Sequence, residues 1–323
     1  MKNMMWLFVA FLTFGAQAQK HSKETDKMIV KVIDTNLVKK HLYTLASDKM
    51  QGRKAGTPGI ELAAQYIEGV YKEIGLKTFQ DAPTYRQNFD HKGMDFFNVI
   101  GILPGKSKPE EYVVISAHYD HLGIVSEKRR VDGDSIANGA DDDASGTAAV
   151  MALAKYWKKR GDNARTIVFV AFTAEEMGLV GSKYFGKQVD PSKYVAGINI
   201  EMIGKPSKYG ENTAWLTGFE RTDFGKIIQK NLEGSGYTLY PDPYPKFRLF
   251  FRSDNAALAY LGIPSHTFST DPIDVDPYYH TVNDEVETLD MRVVTATVRA
   301  VAKGTESIIM GEDTPTRVVV EDK

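Results

Sequence analysis

The chain has 323 residues, of which 42% are hydrophobic and 25% charged, so it is long enough to bury a large core and is neither fibrous nor disordered overall. The formal net charge of −2 gives no overall attraction for nucleic acid or an anionic membrane, and neither is expected as a partner. Cysteine is absent, which excludes disulfides and thiolate ligands. Any metal ion must therefore be held by histidine and carboxylate side chains.

The first 18 residues have the pattern of an export signal. Lys2 gives a positive start, residues 4–14 are apolar, and residues 16–18 (Ala-Gln-Ala) form a typical cleavage site. The apolar run is shorter than the roughly 20 residues that a transmembrane helix needs, so no stable membrane anchor is expected. We predict a mature chain from about Gln19 that is periplasmic or secreted, with an uncleaved anchor as the alternative.

Residues 19–95 are predicted to form a helical extension and a flap. Apolar residues at helical spacing indicate one kinked or two short helices over residues 28–45. Thr57-Pro58 then begins a helix that Gly75 ends. The loose alternation over residues 76–103 favours antiparallel strands that join a sheet. The flap is therefore expected to lead directly into the main domain.

Short apolar runs predict three buried strands, over residues 111–117, 166–172 and 195–200. Further helices and a strand are predicted over residues 144–160, 223–232, 254–261, 265–268 (strand) and 291–310. Because strands alternate with helices, the predicted fold class is α/β: a three-layer, mostly parallel mixed sheet with helices on both faces. One domain is expected over residues 19–310, followed by a polar, disordered tail over residues 311–323.

Residue types that bind metal ions follow the predicted strands. They occur in the segments His118-Tyr119-Asp120-His121, Asp141-Asp142-Asp143 and Glu175-Glu176, and at Glu201. Imidazole and carboxylate groups that converge on one pocket suit zinc or a similar cation. Asp142 is the predicted bridge, since the two oxygens of one carboxylate can bind two cations about 3.5–4 Å apart. A solvated acidic loop is the alternative explanation of this run.

Two of these segments also suggest supporting roles. The Asp120 carboxylate can accept a hydrogen bond from the second ring nitrogen of His118 and so fix its tautomer. His121 adds little to the pattern and is expected to support the site or lie at the surface. Of the neighbours Glu175 and Glu176, one can bind a metal while the other takes a proton from the bound water. A helix start that favours acidic residues is the alternative for this pair.

Four motifs, in this order along the chain, resemble the co-catalytic zinc peptidases of metallopeptidase family 28. They are Ala-His-Tyr-Asp-His-Leu-Gly over residues 117–123, Gly-Ala-Asp-Asp-Asp-Ala-Ser-Gly over 139–146, Thr-Ala-Glu-Glu-Met-Gly-Leu over 173–179 and Tyr-His-Thr over 279–281. The resemblance runs from about Leu45 to Leu289. The family includes secreted leucine aminopeptidases, glutamate carboxypeptidase and glutaminyl cyclase.

The resemblance implies two zinc ions and assigns their ligands. Asp142 would bridge both ions, and the remaining ligands would be His118 and Glu201 at one ion, and Glu176 and His280 at the other. Glu175 would be the general base. Because the family's usual residue at position 201 is aspartate, another divalent metal is compatible with that site. An apolar substrate pocket is expected from Met202, Phe268 and Tyr279.

Two further positions depart from the family pattern. Ser253-Asp254-Asn255 stands where Ser-Asp-His is common, and residues 249–251 (Leu-Phe-Phe) contain no match for the tyrosine that aids the oxyanion. The side chain that would stabilise the oxyanion is therefore not identified by the sequence.

The function implied by the resemblance is an exported aminopeptidase. It would hydrolyse the first peptide bond of peptides with a free amino terminus, using a water shared by two metal ions and Glu175 as base. A glutaminyl cyclase or a carboxypeptidase on the same fold is the nearest alternative, and the cyclase-type site resembles a single-zinc arrangement. A non-catalytic binding ectodomain is the other, although such relatives typically lack ligands that this chain retains.

Overall fold

The computed structural model describes residues 23–320, and the predicted export signal lies outside this range. The strands are β1 (Lys77–Thr78), β2 (Arg86–His91), β3 (Met94–Leu103), β4 (Lys108–His118), β5 (Gly123–Ile124), β6 (Ile136–Ala137), β7 (Arg165–Phe172), β8 (Tyr194–Ile200), β9 (Thr213–Leu216), β10 (Thr238–Pro241) and β11 (Ser265–Ser269). The helices are α1 (23–32), α2 (Thr35–Leu45), α3 (Pro58–Ile74), α4 (Gly146–Arg160), α5 (Val180–Lys187), α6 (Phe224–Leu232), α7 (Asn255–Ala259), α8 (Met291–Gly304) and α9 (Glu306–Ile309).

Within residues 23–320 the main sheet has nine strands, in the order β1-β3-β7-β4-β8-β11-β9-β10 with β2 paired to β3. The four central strands β7, β4, β8 and β11 are parallel, whereas β3 and β9 join them in antiparallel pairs. Strands β5 and β6 form a separate hairpin. This mixed sheet confirms the predicted α/β fold class.

Helices cover both faces of the sheet. Strand β4 shows why, because alternate residues point to opposite faces: Val113 and Ile115 join one apolar cluster and Val114 joins another. The first cluster contains residues of α2, α3, α4, α6 and α8, and the second contains Phe185 of α5 and Leu258 of α7. The continuous apolar runs of the central strands are therefore explained by burial on both sides.

Residues 23–45 of the N-terminal extension form two helices, and α3 follows them. The break predicted near Asp34 is present, since the Asp34 carboxylate accepts a hydrogen bond from the Leu37 amide at 2.8 Å and begins α2. The predicted flap is the antiparallel pair β2 and β3, and β3 continues along β7 into the main sheet.

The C-terminal part differs from the sequence prediction in three respects. Strands β9 and β10 were not predicted, and the closing helix is interrupted at Thr305. The tail was expected to be disordered, but up to residue 320 it packs on the domain: buried Arg165 donates to the Asp313 carbonyl at 2.6 Å, and Val318 is buried. None of the helices between residues 23 and 320 is long and apolar enough to cross a membrane.

Candidate metal centre

The predicted ligands meet where the parallel strands end. His118 is the last residue of β4, Glu201 directly follows β8, and Glu175-Glu176 come shortly after β7. These three strands are neighbours in the sheet, so their carboxyl ends lie at the same edge. The short turn that contains Asp142, residues 140–145, precedes α4 at this edge and is buried.

Asp142 lies between two imidazoles. Its Oδ1 atom is 3.1 Å from Nε2 of His118, and its Oδ2 atom is 3.1 Å from Nε2 of His280. One donor atom each from His118, Asp142 and Glu201 lies within 4.8 Å of the others. On the other side, Nε2 of His280 is also 3.2 Å from Oε2 of Glu176. All five predicted ligands are thus brought together, in two groups that share Asp142.

The chemistry of these donors fits bound cations. In the part of the chain that the structure describes, several buried atoms of this cluster have no hydrogen-bond partner, among them His118 Nε2, Asp142 Oδ2, Glu176 Oε1 and Glu201 Oε2. Leaving a buried polar atom unpaired costs about 1–3 kcal/mol, and more for a charged group. Divalent cations would pair with all of these atoms at once, and imidazole with carboxylate is a donor set that zinc accepts.

The tautomer of His118 is fixed by Asp120, but not as predicted. Nδ1 of His118 is 3.1 Å from the Asp120 carbonyl oxygen, which can only accept, so Nδ1 carries the proton and Nε2 is free for a metal. The Asp120 carboxylate lies 3.8 Å from this ring nitrogen. It instead accepts the amides of Glu175 and Glu176 at 3.1 and 3.4 Å. Asp120 therefore positions both the imidazole and the glutamate pair.

His121, expected to support the site or lie at the surface, is part of the cluster. Its ring is buried, with Nδ1 3.0 Å from Oε1 of Glu176 and 3.7 Å from Oδ2 of Asp142. His280 approaches the other oxygen of Glu176, so the two imidazoles hold this carboxylate from both sides. The sequence signal that could have identified His121 as a site residue is its place in the motif His-Tyr-Asp-His, three residues after His118.

The turn that contains Asp142 is held in place by hydrogen bonds from its backbone amides. The Asp284 carboxylate accepts the amides of Asp141 and Asp142 at 2.9 and 3.0 Å. Gly139 enters the turn with a φ of 55°, and a Cβ atom there would lie 2.3 Å from the Asp142 carbonyl oxygen. Glycine is therefore required by both the backbone angle and the close approach.

Arg53 connects the Asp142 turn to the end of β4. The guanidinium is fully buried and donates to four carbonyl oxygens, those of Leu45, Tyr119, Asn138 and Gly139, at 2.6–2.9 Å. Burial lowers the pKa of Arg53 to about 10, although nearby carboxylates oppose the shift. It fixes the loops that carry His118 and Asp142 relative to each other.

Comparison with known proteins agrees with this geometry. The family model described as "Peptidase family M28" matches residues 98–305. The chain belongs to this family. A probable leucine aminopeptidase of Trichophyton verrucosum is 30% identical over 290 residues, which cover 84% of this chain and 70% of the relative. Aminopeptidase YwaD of Bacillus subtilis is 25% identical over 257 residues, which cover 74% of this chain but only 48% of the length of that relative.

Solved structures of enzymes with different activities share the M28 fold of this chain. An aminopeptidase from Aneurinibacillus sp. strain AM-1 aligns with a TM-score of 0.66 and 18% identity, covering 92% of this chain and 98% of that one. Glutaminyl cyclase of Porphyromonas gingivalis aligns with a TM-score of 0.67 and 17% identity, covering 85% and 99%. These likenesses establish the fold, and the activity must be argued from the site.

The neighbouring residues Glu175 and Glu176 have different surroundings in this M28 peptidase. Glu176 contacts two imidazoles, whereas Glu175 has none within ion-pair distance among residues 23–320. Burial raises the pKa of Glu175 well above its usual range, although His118 opposes the shift. Burial lowers the pKa of His280, but hydrogen bonds to Asp142 and Glu176 outweigh it and raise the value to about 10. A metal ion would take the place of that proton.

A small cavity adjoins the metal centre and includes two of the three predicted pocket residues. Met202 and Tyr279 line it, and the Tyr279 ring stacks on His280 with centroids 3.9 Å apart. Phe268 does not line it, because it lies on β11 between Thr267 and Ser269, and successive side chains of a strand point in opposite directions. Thr267 and Ser269 face the cavity, while Phe268 packs in the core against Phe224.

Asn255 replaces the family's common histidine and has a structural role here. It is buried, donates to the Phe250 carbonyl at 3.0 Å and accepts from the Thr267 hydroxyl at 2.8 Å. These contacts hold the turn before α7 against β11. The departure at this position is therefore satisfied by local hydrogen bonds.

Proposed function

We propose that the chain is an exported zinc aminopeptidase that hydrolyses the first peptide bond of peptides with a free amino terminus. The observation that carries this proposal is the position of Asp142, whose two carboxylate oxygens each lie 3.1 Å from a different imidazole. A carboxylate shared in this way is suited to bridge two cations. The family membership and the aminopeptidase names of the relatives support the same activity.

The residues that would hold the two zinc ions follow from the two groups. One ion would take His118, Asp142 and Glu201. The other would take Asp142 and Glu176 with His280, whose Nε2 lies within 3.2 Å of both carboxylates. His121 also lies beside these two carboxylates. When bound, the ions would lower the pKa of a water molecule and polarise the substrate carbonyl. Glu201 has one methylene more than the family's usual aspartate, which leaves a different divalent metal at that site compatible with the proposal.

Glu175 is the proposed proton carrier. Its backbone is fixed by Asp120 while its carboxylate is not held by the imidazoles, so it can face an attacking water. It would accept the proton of that water and return it to the amine that leaves. A general base works best when its pKa is near the working pH, and the raised pKa of Glu175 is in that direction.

The proposal that the enzyme acts at the amino terminus depends on Glu201 and the cavity next to the metal centre. Glu201 lines both the metal centre and the adjoining cavity. The free amine of the substrate would lie beside this carboxylate, and the first side chain would enter the cavity. A peptide blocked at its amino terminus loses that charge pair, so it is expected to be a poor substrate.

The test is Glu175→Gln, assayed with leucine 4-nitroanilide and its acetylated form. We expect kcat to fall by about 10²–10⁴, the usual contribution of a general base, while zinc content is unchanged. Glu211→Gln, an exposed site, is the control and should keep full activity. Unchanged hydrolysis in Glu175→Gln, or faster cleavage of the acetylated substrate, would contradict the mechanism.

The alternatives give different outcomes in simple assays. A glutaminyl cyclase would convert peptides that begin with glutamine and release no amino acid, and a single-zinc site would bind one ion per chain. A binding ectodomain would show no hydrolysis when loaded with zinc. Export is tested by the mass of the mature protein, which should begin near Gln19 in the periplasmic or extracellular fraction.

A further inference from the structure

The cavity beside Glu201 contains a charged group that the proposed mechanism does not use. Its volume is about 50 Å³, room for about four waters at roughly 10–15 Å³ each, which suits one amino-acid side chain. Apolar residues form part of the wall, among them Met202, Trp215 and Leu249, and hydroxyl groups another part. Asp271 also lines it. The wall hydroxyls of Thr267 and Ser269 are already bonded within the protein, so a purely aliphatic first residue would leave the Asp271 carboxylate buried and unpaired.

The Asp271 side chain is buried but has its carboxylate free. The residue is 1% exposed, and neither carboxylate oxygen has a hydrogen-bond partner in the described range, 23–320. Its backbone is held on both sides: the amide donates to Ser269 Oγ at 3.2 Å, and the Trp215 indole donates to its carbonyl at 3.2 Å. The backbone contacts fix the position of the carboxylate, whose two oxygens are buried and have no hydrogen-bond partner.

The nearest cation does not neutralise this carboxylate. Nζ of Lys205 lies 2.7 Å from Asp276 and 3.2 Å from Asp141, but 3.7 Å from Asp271, beyond hydrogen-bond distance. Three buried carboxylates therefore share one ammonium group. Burial, and then the charge of Asp141, raise the pKa of Asp271 to about 9. A second cation on the cavity side would stabilise the ionised form.

We propose that this cavity selects substrates whose first residue has a positively charged side chain, with Asp271 as the residue that recognises the charge. The inference rests on the proposed function, because it assigns the cavity to the side chain that precedes the cleaved bond. Trp215 and Tyr279 also line the cavity, and aromatic rings attract cations. Arg252 also lines the cavity but is exposed, so water screens its opposing charge at the rim.

The experiment compares lysine with norleucine, which has the same carbon chain without the ammonium group. For the two 4-nitroanilides, we expect the zinc-loaded enzyme to show a kcat/KM at least about tenfold higher for lysine, the size of a charge-assisted hydrogen bond. In Asp271→Asn this ratio should fall to near one. The control is Asp274→Asn, an exposed residue of the same loop, which should keep the lysine preference.

A binding measurement separates this inference from the proposed function. Calorimetric titration with free lysine and free norleucine requires no catalysis, and the thermal unfolding of each variant verifies that it is folded. Lysine binding about tenfold tighter than norleucine, lost in Asp271→Asn, supports the pocket even if no substrate is hydrolysed. Hydrolysis with equal or better use of norleucine overturns the pocket and leaves the aminopeptidase proposal intact.

Discussion

Two buried acidic clusters lie side by side in this protein and are neutralised in different ways. The metal cluster comprises Asp142, Glu176 and Glu201 with three imidazoles, and several of its donor atoms are unpaired within residues 23–320. The lysine cluster comprises Lys205 with Asp141, Asp271 and Asp276; its cation belongs to the chain and pairs closely with Asp141 and Asp276, but lies 3.7 Å from Asp271. Asp141 and Asp142 are consecutive, yet they belong to different clusters.

The difference shows how one acidic run is divided between function and structure. The Asp141 carboxylate accepts the Gly204 amide at 2.7 Å and contacts Lys205, so it ties the Asp142 turn to the segment after β8. The charged partners of the Asp142 carboxylate are imidazoles, and two further carboxylates lie nearby, so this group can bind a metal in place of a proton. A carboxylate with a permanent partner stabilises the fold, whereas one surrounded by other ligands is available for an added cation.

The largest effect is expected from Asp142→Asn. Losing the shared carboxylate should reduce bound zinc from two ions per chain to one or none. The kcat/KM for leucine 4-nitroanilide should fall about thousandfold or more, since a catalytic metal contributes several kcal/mol to the barrier. Atomic absorption and initial rates measure the two quantities, with the exposed flap residue Asp95→Asn as control. Two ions per chain in Asp142→Asn would contradict the bridging role.

The next effect is on stability and tests the lysine cluster. Lys205→Met removes the cation of a buried ion pair, which typically costs about 3–5 kcal/mol in the free energy of unfolding. Lys208→Met is the control, because its side chain is 50% exposed and pairs with Asp274 at 3.6 Å, a contact worth at most about 1 kcal/mol. Urea unfolding measures both. Equal stabilities for the two variants would show that the two clusters do not differ as described.

The smallest effect concerns a buried histidine outside the acidic clusters. His266 Nδ1 donates to the Thr217 carbonyl, Nε2 lies 2.8 Å from the Thr222 hydroxyl, and burial lowers the pKa of His266 to about 4. Because the unfolded chain then binds the proton first, stability falls as the pH drops from about 6.5 to 4. The expected loss from this residue is about 2 kcal/mol at pH 5.

His266→Asn should therefore give a shallower decline of the unfolding free energy between pH 7 and 5 than the unchanged protein. Urea unfolding at several pH values measures the slope, and His91→Asn on the flap is the control. If the two variants have the same slope, the lowered pKa of His266 is wrong.

Local sequence patterns predicted much of the site because its ligands lie at the ends of strands. The apolar runs predicted β4, β7 and β8, and the residues that follow each run became His118, Glu175-Glu176 and Glu201 of the metal centre. His280, on a loop with no regular structure, was identified only through the family resemblance. Strands β9 and β10 were missed because they are only four residues long.

The sequence by itself determined the α/β fold, the order of the motifs and the donor types, since strand burial, helical spacing and ligand chemistry are visible in short segments. Only the tertiary structure decided which donors face each other. It assigned His121 to Glu176, the Asp120 carboxylate to two backbone amides, Phe268 to the core and Asp271 to the cavity. These choices depend on contacts between residues far apart in the chain, and a local pattern contains no information about distance in space.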